Sequence, residues 1–459
     1  MGEPRPPGGT GGAGTGGAEG PPEGLLGLPA ATALVVGNIV GIGIFLLPAA
    51  LAAYGTLSIL TFAIVAVGAI AMALVFGRLG ARIPAAGGPY AYSRQAFGEF
   101  VGFWNAWSFW LTAWIGNTGI AVAWAGYVNY FVRWDSTFGR IVITLVGLWI
   151  PVWINLSGLR NIGRFQLITT ILKFVPLIFM AVFGLFFISS ANFGPFNASD
   201  LPLVTALSAA GALALFAFSG LESVAVAAAR IKDPERTIGK ASIYGCLACA
   251  VLYLLSTVAV FGNVPYDRLQ RSTAPFADAV NNMFGGGFWG GVVALCAIIS
   301  GIGALNGWTL LMAEMPRAAA KDGVFPGFFA HESSRGAPWA GLVLSALLAS
   351  FIAIWSYVTT ANAFNTVLLI ATFTTVIPYF FSACAQLYWL FTGGPGVHAA
   401  RLSKDLVIAV LAVLFAFWMA YGSGRDAITV GFLMMLVGVP VYIWVKAAHH
   451  EFGPQHGVD

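Results

Sequence analysis

Twelve long apolar segments follow one another along this chain, and no other feature constrains its fold as strongly. They run at approximately 29–54, 57–81, 99–132, 139–156, 162–190, 202–229, 239–262, 287–316, 338–358, 362–392, 405–423 and 427–447. A membrane-spanning helix needs about 20 predominantly apolar residues. Only 9% of the residues are charged, against about 25% in an ordinary soluble domain. The sequence therefore predicts an all-α integral membrane protein with 12 transmembrane helices.

The positions of Lys and Arg predict how these helices are oriented. If the N-terminus is cytoplasmic, sixteen of the 22 basic residues fall in cytoplasmic connections and tails, five fall outside, and Lys173 lies within the membrane. Cytoplasmic loops carry the excess of Lys and Arg, so both termini are predicted to be cytoplasmic, in the cytoplasmic membrane. The predicted units are a disordered cytoplasmic tail (1–27), spans 1–5 (28–197), spans 6–10 (198–393), spans 11–12 (394–450) and a cytoplasmic tail (451–459).

The first apolar segment is interrupted by Gly37, Gly41 and Gly43. Glycine destabilises a helix interior by about 1 kcal/mol relative to alanine, and a broken backbone in hydrocarbon is tolerated only where it faces protein or a cavity. Broken helices near the bilayer midplane form the substrate sites of many secondary transporters. The alternative is that these glycines only let neighbouring helices approach closely, and the residues of this segment alone do not decide between the two.

The sixth segment contains a second interruption, Phe218-Ser-Gly-Leu-Glu222. Five spans separate it from the first break, so the two segments enter the membrane from opposite sides. Interrupted helices in corresponding positions of oppositely oriented halves are typical of inverted-repeat transporters. The sequence thus predicts a 5+5 inverted repeat, as in the leucine transporter, with broken helices 1 and 6 and two extra C-terminal helices.

Three charged residues lie at or near membrane depth, where each charge costs about 3 kcal/mol on insertion scales. Lys173 lies in the middle of span 5 and is interpreted as a coupling residue, whose ammonium occupies the place of a cation or carries a proton. The alternative is snorkelling to the membrane surface. Glu222 follows the second break and either receives a proton, pairs with a substrate amine or holds the unwound backbone. Glu314, beside Arg317, is predicted to form an ion pair.

Polar and aromatic groups within the spans add candidates for the site. The amides of Asn38 and Asn117 need partners in lipid, which either residue can find across helices. Trp308 lies too deep for an interfacial belt and either stacks on a ligand, gates a cavity or simply packs. The four cysteines are predicted to be buried, inert thiols. No catalytic grouping, metal-ligand cluster or nucleotide-binding motif can be drawn from the residues, so no enzyme activity, metal or cofactor is predicted.

Several stretches together resemble the amino acid–polyamine–organocation superfamily and, within it, the bacterial arginine/agmatine antiporters and related amino acid permeases. The resemblance covers about residues 28–450. Its motifs are Gly37-Asn-Ile-Val-Gly-Ile-Gly-Ile-Phe-Leu-Leu-Pro48, Gly87-Gly-Pro-Tyr-Ala-Tyr92, Trp114-Ile-Gly-Asn117, Lys232-Asp-Pro-Glu-Arg236, Gly307-Trp-Thr-Leu-Leu311 and Ala318-Ala-Ala-Lys-Asp-Gly-Val-Phe-Pro326.

The resemblance implies a substrate site between the two broken helices. Backbone carbonyls around Ile39, Phe216 and Ser219 would accept from the α-amino group, and the N–H groups of Ile42 and Gly43 would bind the carboxylate. The exposed N–H groups at the start of a half-helix suit an anion. By the same resemblance, Thr112, Asn117 and Trp308 would approach the substrate side chain.

Departures from the antiporter pattern bear on the substrate. Ile42 replaces a serine, Phe216 replaces an indole, and Leu369 replaces a hydroxyl on the ligand side, so polar and π-rich contacts for arginine are lost. Lys173 matches instead the lysine that relatives with neutral or broader substrates carry in span 5 and use in place of sodium. The resemblance therefore predicts a transporter that does not depend on sodium.

The function predicted from these features is amino acid transport by alternating access, through exchange or proton-coupled symport. The first alternative is a cationic amino acid or polyamine antiporter, and the second is a membrane sensor or scaffold that does not transport. The predicted partners are a small amino acid or polyamine substrate and the lipid bilayer. Proton coupling and a homodimer are left open, and nucleic acid is not a predicted partner.

Overall fold

The computed structural model describes residues 26–41, 43–83, 87–157, 162–226, 231–333, 336–393 and 401–448. Ile42, most of the predicted N-terminal tail and the predicted C-terminal tail lie outside these ranges. The α-helices in them are α1 Leu28–Ile39, α2 Gly43–Ala52, α3 Leu57–Arg82, α4 Pro89–Phe97, α5 Glu99–Val132, α6 Thr137–Ser157, α7 Ile162–Val182, α8 Leu203–Phe216, α9 Ser223–Val226, α10 Pro234–Asn263, α11 Tyr266–Leu269, α12 Pro275–Phe284, α13 Phe288–Lys321, α14 Trp339–Thr359, α15 Ala363–Thr392, α16 Leu402–Gly422 and α17 Gly424–Ala448.

Helices occupy all twelve predicted apolar segments. Within the described ranges, eight of them are long and apolar enough to cross a membrane, and α1 with α2 makes a ninth if the bent pair is one span. The apolar parts of α7 and α8 are shorter. The 34-residue α5 is not among the nine, because its many tryptophan, asparagine and glycine residues lower its mean hydropathy. The chain is a multi-pass helical membrane protein, and the count of twelve spans stays a prediction.

Both predicted breaks are present. The first separates α1 from α2, which meet at an angle of 50°. The second separates α8, which ends at Phe216, from α9, which begins at Ser223. The first interruption follows Ile39 and contains Gly41, whereas Gly37 lies within α1 and Gly43 begins α2. The second interruption contains Gly220. A glycine at each interruption agrees with the low helix propensity of this residue.

Helices that are five predicted spans apart pack against each other at the centre of the bundle. The helix α3 packs on α10, and α5 packs on α13. Gly77 and Gly239 allow the first pair to come close, since a Cβ atom on Gly77 would lie 2.6 Å from the Gly239 Cα. Small residues at such crossings let helix backbones approach, so this close crossing joins a helix of the first predicted half to a helix of the second.

The outer surface of the bundle is apolar. Large side chains such as Trp153, Phe186 and Phe391 are exposed, and apolar exposure on this scale is unusual for a soluble monomer. The surface is suited to contact lipid, as the sequence predicts for an integral membrane protein.

An isolated bridge between Leu26 and Ile231 is the only β-type pairing within the described parts of the chain. The Lys232 N–H donates to the Leu26 carbonyl oxygen at 2.9 Å. Leu26 and Ile231, which precede and follow the six predicted spans between them, therefore lie at the same end of the bundle.

Candidate functional site

The first break leaves the end of α1 without intrahelical partners for its last carbonyl groups. Lys173 Nζ, on α7, donates to the Gly37 carbonyl oxygen at 2.6 Å. The Tyr253 hydroxyl, on α10, donates to the Ile39 carbonyl oxygen at 2.9 Å. The last C=O groups of a helix need outside partners, and a cation is favoured at this negative end of the helix dipole. Two neighbouring helices therefore hold the end of α1 in place.

Lys173 lies deep in the bundle, with 5% of its surface exposed. Among the described residues, no ion pair includes it. A backbone carbonyl, instead of a carboxylate, therefore faces its ammonium group. This burial does not fit the snorkelling alternative, in which the side chain would reach the bundle surface. The depth of Lys173 in the membrane stays a prediction.

The second break folds as a series of tight turns. The Ser219 N–H donates to the Phe216 carbonyl oxygen at 3.1 Å, and the Leu221 N–H donates to that of Phe218 at 3.3 Å. Gly220 has a φ of +103°, in a region that favours glycine. A Cβ atom there would lie 2.8 Å from the Asn38 carbonyl oxygen. The backbones of the two breaks are therefore in direct contact.

Between the breaks lies a small cavity, which we call the central cavity. Its volume is about 20 Å³, enough for about one water molecule and too small for an amino acid. Six predicted site residues line it: Asn38, Ile39, Gly43, Phe216, Ser219 and Trp308. The lining also contains Gly41, Ile44, Ile120, Ala217 and Tyr253. Residues that are far apart in the chain are thus brought together as the broken-helix interpretation requires.

The Phe216 ring fills the space between three helices at this cavity. A Cβ atom on Gly43, at the start of α2, would lie 3.3 Å from the ring, and one on Gly116, in α5, would lie 3.2 Å from it. Both positions leave less room than an ordinary methyl contact needs. The size of the central cavity therefore depends on where this ring lies.

Two other polar groups bear on the cavity. The Ser219 hydroxyl is buried and has no hydrogen-bond partner within the described part of the chain. The Asn38 amide donates to the Leu34 carbonyl oxygen of its own helix at 3.0 Å. Ile42, predicted with Gly43 to bind a carboxylate, lies outside the described residues. Gly43 itself begins α2, so its N–H belongs to the first turn of a helix.

Thr112 and Asn117 are not among the residues that line the central cavity. The Thr112 hydroxyl bonds to the Thr374 hydroxyl at 2.8 Å. The Asn117 amide donates to the Thr309 hydroxyl at 3.0 Å. This bond links α5 to α13, and Thr309 is the residue that follows Trp308. Their side chains are engaged between helices, so their approach to a substrate stays a prediction.

Glu222 is buried and does not line the central cavity. Its carboxylate accepts a hydrogen bond of 2.9 Å from the Tyr379 hydroxyl on α15, and the backbone N–H groups of Gly220 and Glu222 lie near it. The carboxylate is therefore engaged with α15 and lies close to the backbone of the second break, and its role as proton acceptor, amine partner or backbone support stays a prediction.

Glu314 forms the predicted ion pair. Its carboxylate lies 2.7 Å from Arg317, which also pairs with Glu332. The group belongs to a charged cluster at the end of α13 and has no part in the central cavity.

Tyr253 is the site residue that sequence reasoning missed. It lies in an apolar span, and its ring is fully buried. A buried tyrosine hydroxyl usually has a hydrogen-bond partner. The same need of a polar group for a partner in an apolar span singled out the amides of Asn38 and Asn117. The same reasoning applied to tyrosine would have marked this residue, though not its partner.

Comparison with known proteins places these features in context. The sequence model of the family described as "Amino acid permease" matches residues 26–445. The putrescine transporter PotE of Haemophilus influenzae is 29% identical over 424 residues, covering 92% of this chain and 97% of that protein. An arginine/ornithine antiporter of Pseudomonas aeruginosa is 32% identical over 447 residues, covering 93% and 92%. An arginine/agmatine antiporter of Chlamydia pneumoniae is 30% identical over 438 residues, covering 91% and 89%.

Proposed function

The chain belongs to the amino acid permease family of the amino acid–polyamine–organocation superfamily, and we propose that it carries amino acids across the cytoplasmic membrane by alternating access. It would work as an exchanger or a proton-coupled permease and would not depend on sodium. The relatives named above are transporters and antiporters, and the family is one of permeases, not of enzymes.

The observation that carries this proposal is the central cavity between two broken helices. Irregular backbone in a membrane protein is tolerated where it lines a cavity, and substrate sites of secondary transporters lie at such breaks. The cavity volume of about 20 Å³ is smaller than any amino acid. A substrate can therefore enter only after the surrounding helices separate, which is what alternating access provides.

Backbone groups at the two breaks suit the charged ends of an α-amino acid. We propose that the carbonyl groups of Ile39, Phe216 and Ser219 accept from the ammonium group. The N–H groups of Ile42 and Gly43, at the positive end of α2, would bind the carboxylate. Trp308 would face the substrate side chain, and Thr112 and Asn117 would approach it once the cavity opens.

Sodium independence is supported by the contact between Lys173 and Gly37. Carbonyl oxygens at the end of a broken helix are the groups that coordinate a coupling cation in secondary transporters. Here the lysine ammonium already supplies a positive charge at one such carbonyl. Proton coupling through Lys173 is part of the proposal.

We also propose the finer topology, twelve spans with both termini cytoplasmic and two inverted repeats of five. The packing of α3 on α10 and of α5 on α13 supports it, because each pair joins helices five spans apart. The bridge between Leu26 and Ile231 supports it as well, because six crossings would return the chain to the same end of the bundle.

A cationic amino acid or polyamine antiporter remains the alternative, since relatives with those printed names match most of the chain. Recognition of a diamine calls for acidic groups, and of the described residues that line the central cavity none is acidic. We therefore rank this alternative second.

Uptake into proteoliposomes tests the proposal. The purified protein is reconstituted and assayed with a panel of labelled amino acids and polyamines, with sodium replaced by choline in a parallel series. Flux of an amino acid that is insensitive to sodium is expected. Stronger competition by putrescine or agmatine than by any amino acid would favour the alternative, and binding without flux of any substrate would point to a sensor or scaffold.

A further inference from the structure

A second and larger cavity lies at one end of the bundle, and we call it the outer vestibule. Its volume is about 380 Å³, within the range of roughly 300 to 1,000 Å³ for small-molecule sites. The connections around it, at 133–136, 270–273 and 360–362, are ones that the sequence predicts to be extracellular.

The outer vestibule and the central cavity share two helices. On α2, Ile44 lines the central cavity, and Leu46 and Ala49 line the outer vestibule. On α5, Ile120 lines the first and Val122 lines the second. Two residues of an α-helix span about 3 Å along its axis. The two cavities therefore lie at neighbouring levels of the same two helices.

Two arginines give the outer vestibule its charge. Arg140, near the start of α6, and Arg271, after α11, both line it and are exposed. No ion pair within the described ranges includes either of them. None of the described lining residues is acidic. The guanidinium groups are therefore available to a carboxylate, which arginine binds with two parallel hydrogen bonds.

Acidic groups in the adjoining loops have other contacts or lie to one side. Asp278 pairs with Arg268 at 3.3 Å and accepts from Ser272 at 2.7 Å. Asp135 accepts from the Asn129 amide at 2.8 Å. Asp267 and Asp278 lie with Arg271 at a neighbouring surface depression, outside the vestibule lining. The described lining of the vestibule thus carries the positive charges of Arg140 and Arg271 and no negative charge.

Asn365, in the first turn of α15, supplies a complementary acceptor. The residue lines the outer vestibule, and its side-chain oxygen is buried and has no hydrogen-bond partner among the described residues. A buried polar atom without a partner is destabilising, and an amide oxygen readily accepts from an ammonium group.

We propose that the outer vestibule is an access site for α-amino acids, in which Arg140 and Arg271 bind the carboxylate and Asn365 accepts from the α-ammonium group. A diamine has no carboxylate and meets two positive charges there, so the site selects against it before it reaches the central cavity. This inference rests on the proposed function and adds a determinant of substrate class to it.

The test compares uptake kinetics in proteoliposomes of the full-length protein. The variant Arg140→Gln/Arg271→Gln is expected to raise KM for the best amino acid of the panel by about 3- to 10-fold and to leave Vmax within about twofold. Added salt should raise KM of the wild type and not of this variant, because ions screen exposed charges. Putrescine should inhibit the variant more strongly than the wild type. Asn365→Leu should also raise KM.

Arg425→Gln is the matched control, since Arg425 is exposed on the same predicted side and does not line the vestibule. Its kinetics should equal those of the wild type. An unchanged KM and unchanged salt dependence in the double variant would overturn the inference.

Saturation-transfer NMR with L-alanine separates this inference from the proposed function, because it detects binding whether or not the protein transports. A signal in the wild type that weakens in Arg140→Gln/Arg271→Gln supports the vestibule site, even if the wild type shows no flux. An equal signal in both proteins, or none in the wild type, overturns it.

Discussion

The Lys173 ammonium group donates a hydrogen bond of 2.6 Å to the backbone carbonyl oxygen of Gly37, in the last turn of α1. The two residues lie 136 positions apart in the chain. The contact ties α7, the last span of the first predicted repeat, to the broken helix at its start. Any movement of α7 relative to α1 must therefore break or stretch a charge-assisted hydrogen bond.

Replacing Lys173 with Met should abolish or uncouple transport while the protein stays folded. The change leaves the Gly37 carbonyl without its partner, which costs about 1–3 kcal/mol for a buried group, and removes the positive charge at the break. Uptake as a function of pH measures the effect, and size-exclusion chromatography reports folding. Lys240→Met, at an exposed lysine of α10, is the control. Uptake with normal pH dependence in the Lys173 variant would remove this residue from the mechanism.

Removing the hydroxyl of Tyr253 should loosen the end of α1. Tyr253→Phe deletes the hydrogen bond to the Ile39 carbonyl oxygen and should lower stability by about 1 kcal/mol, with KM changed several-fold because Tyr253 lines the central cavity. Thermal unfolding and uptake kinetics check both effects. Tyr244→Phe, at an exposed tyrosine of the same helix, should behave as the wild type. Equal behaviour of the two variants would contradict the predicted role.

A side chain at Gly220 should disrupt the contact between the two breaks. Gly220→Ala combines an unfavourable φ of +103° with a Cβ atom 2.8 Å from the Asn38 carbonyl oxygen, so folding yield and transport should fall sharply. Gly285→Ala is the matched control, because Gly285 also has a positive φ but no atom within 4 Å of the added Cβ. Its effect should be limited to backbone strain of about 1–3 kcal/mol. Similar losses in both variants would show that strain alone, and not the contact of the breaks, is responsible.

Neutralising Glu222 should destabilise the protein without removing the pH dependence of uptake. Its carboxylate is held by the Tyr379 hydroxyl and does not line the central cavity, so Glu222→Gln weakens a structural contact of roughly 1.5–3 kcal/mol. Tyr379→Phe should have a similar effect on thermal stability, and KM should change little in either variant. Uptake measured across a range of pH distinguishes a structural role from proton transfer. If uptake no longer depends on pH in Glu222→Gln but still does in Tyr379→Phe, Glu222 is the proton carrier.

Local properties of the sequence were enough to predict the helices, both breaks and the mid-span position of Lys173. Hydropathy and helix propensity act over a few residues, so apolar length and glycine content at 37–43 and 218–222 are readable without tertiary information. The resemblance to a known superfamily added the site between the breaks, and six of its predicted residues do line one cavity.

The partners of these groups were decided only by tertiary structure. The sequence shows that Lys173, Glu222 and Tyr253 need partners in an apolar environment, but the partners Gly37, Tyr379 and Ile39 lie 136, 157 and 214 residues away. Two other arrangements could not be predicted from the sequence either. They are the packing of Thr112 and Asn117 between helices and the grouping of Arg140, Arg271 and Asn365 around one vestibule. A chain determines locally which groups must be satisfied, whereas the crossing of distant helices determines which atoms satisfy them.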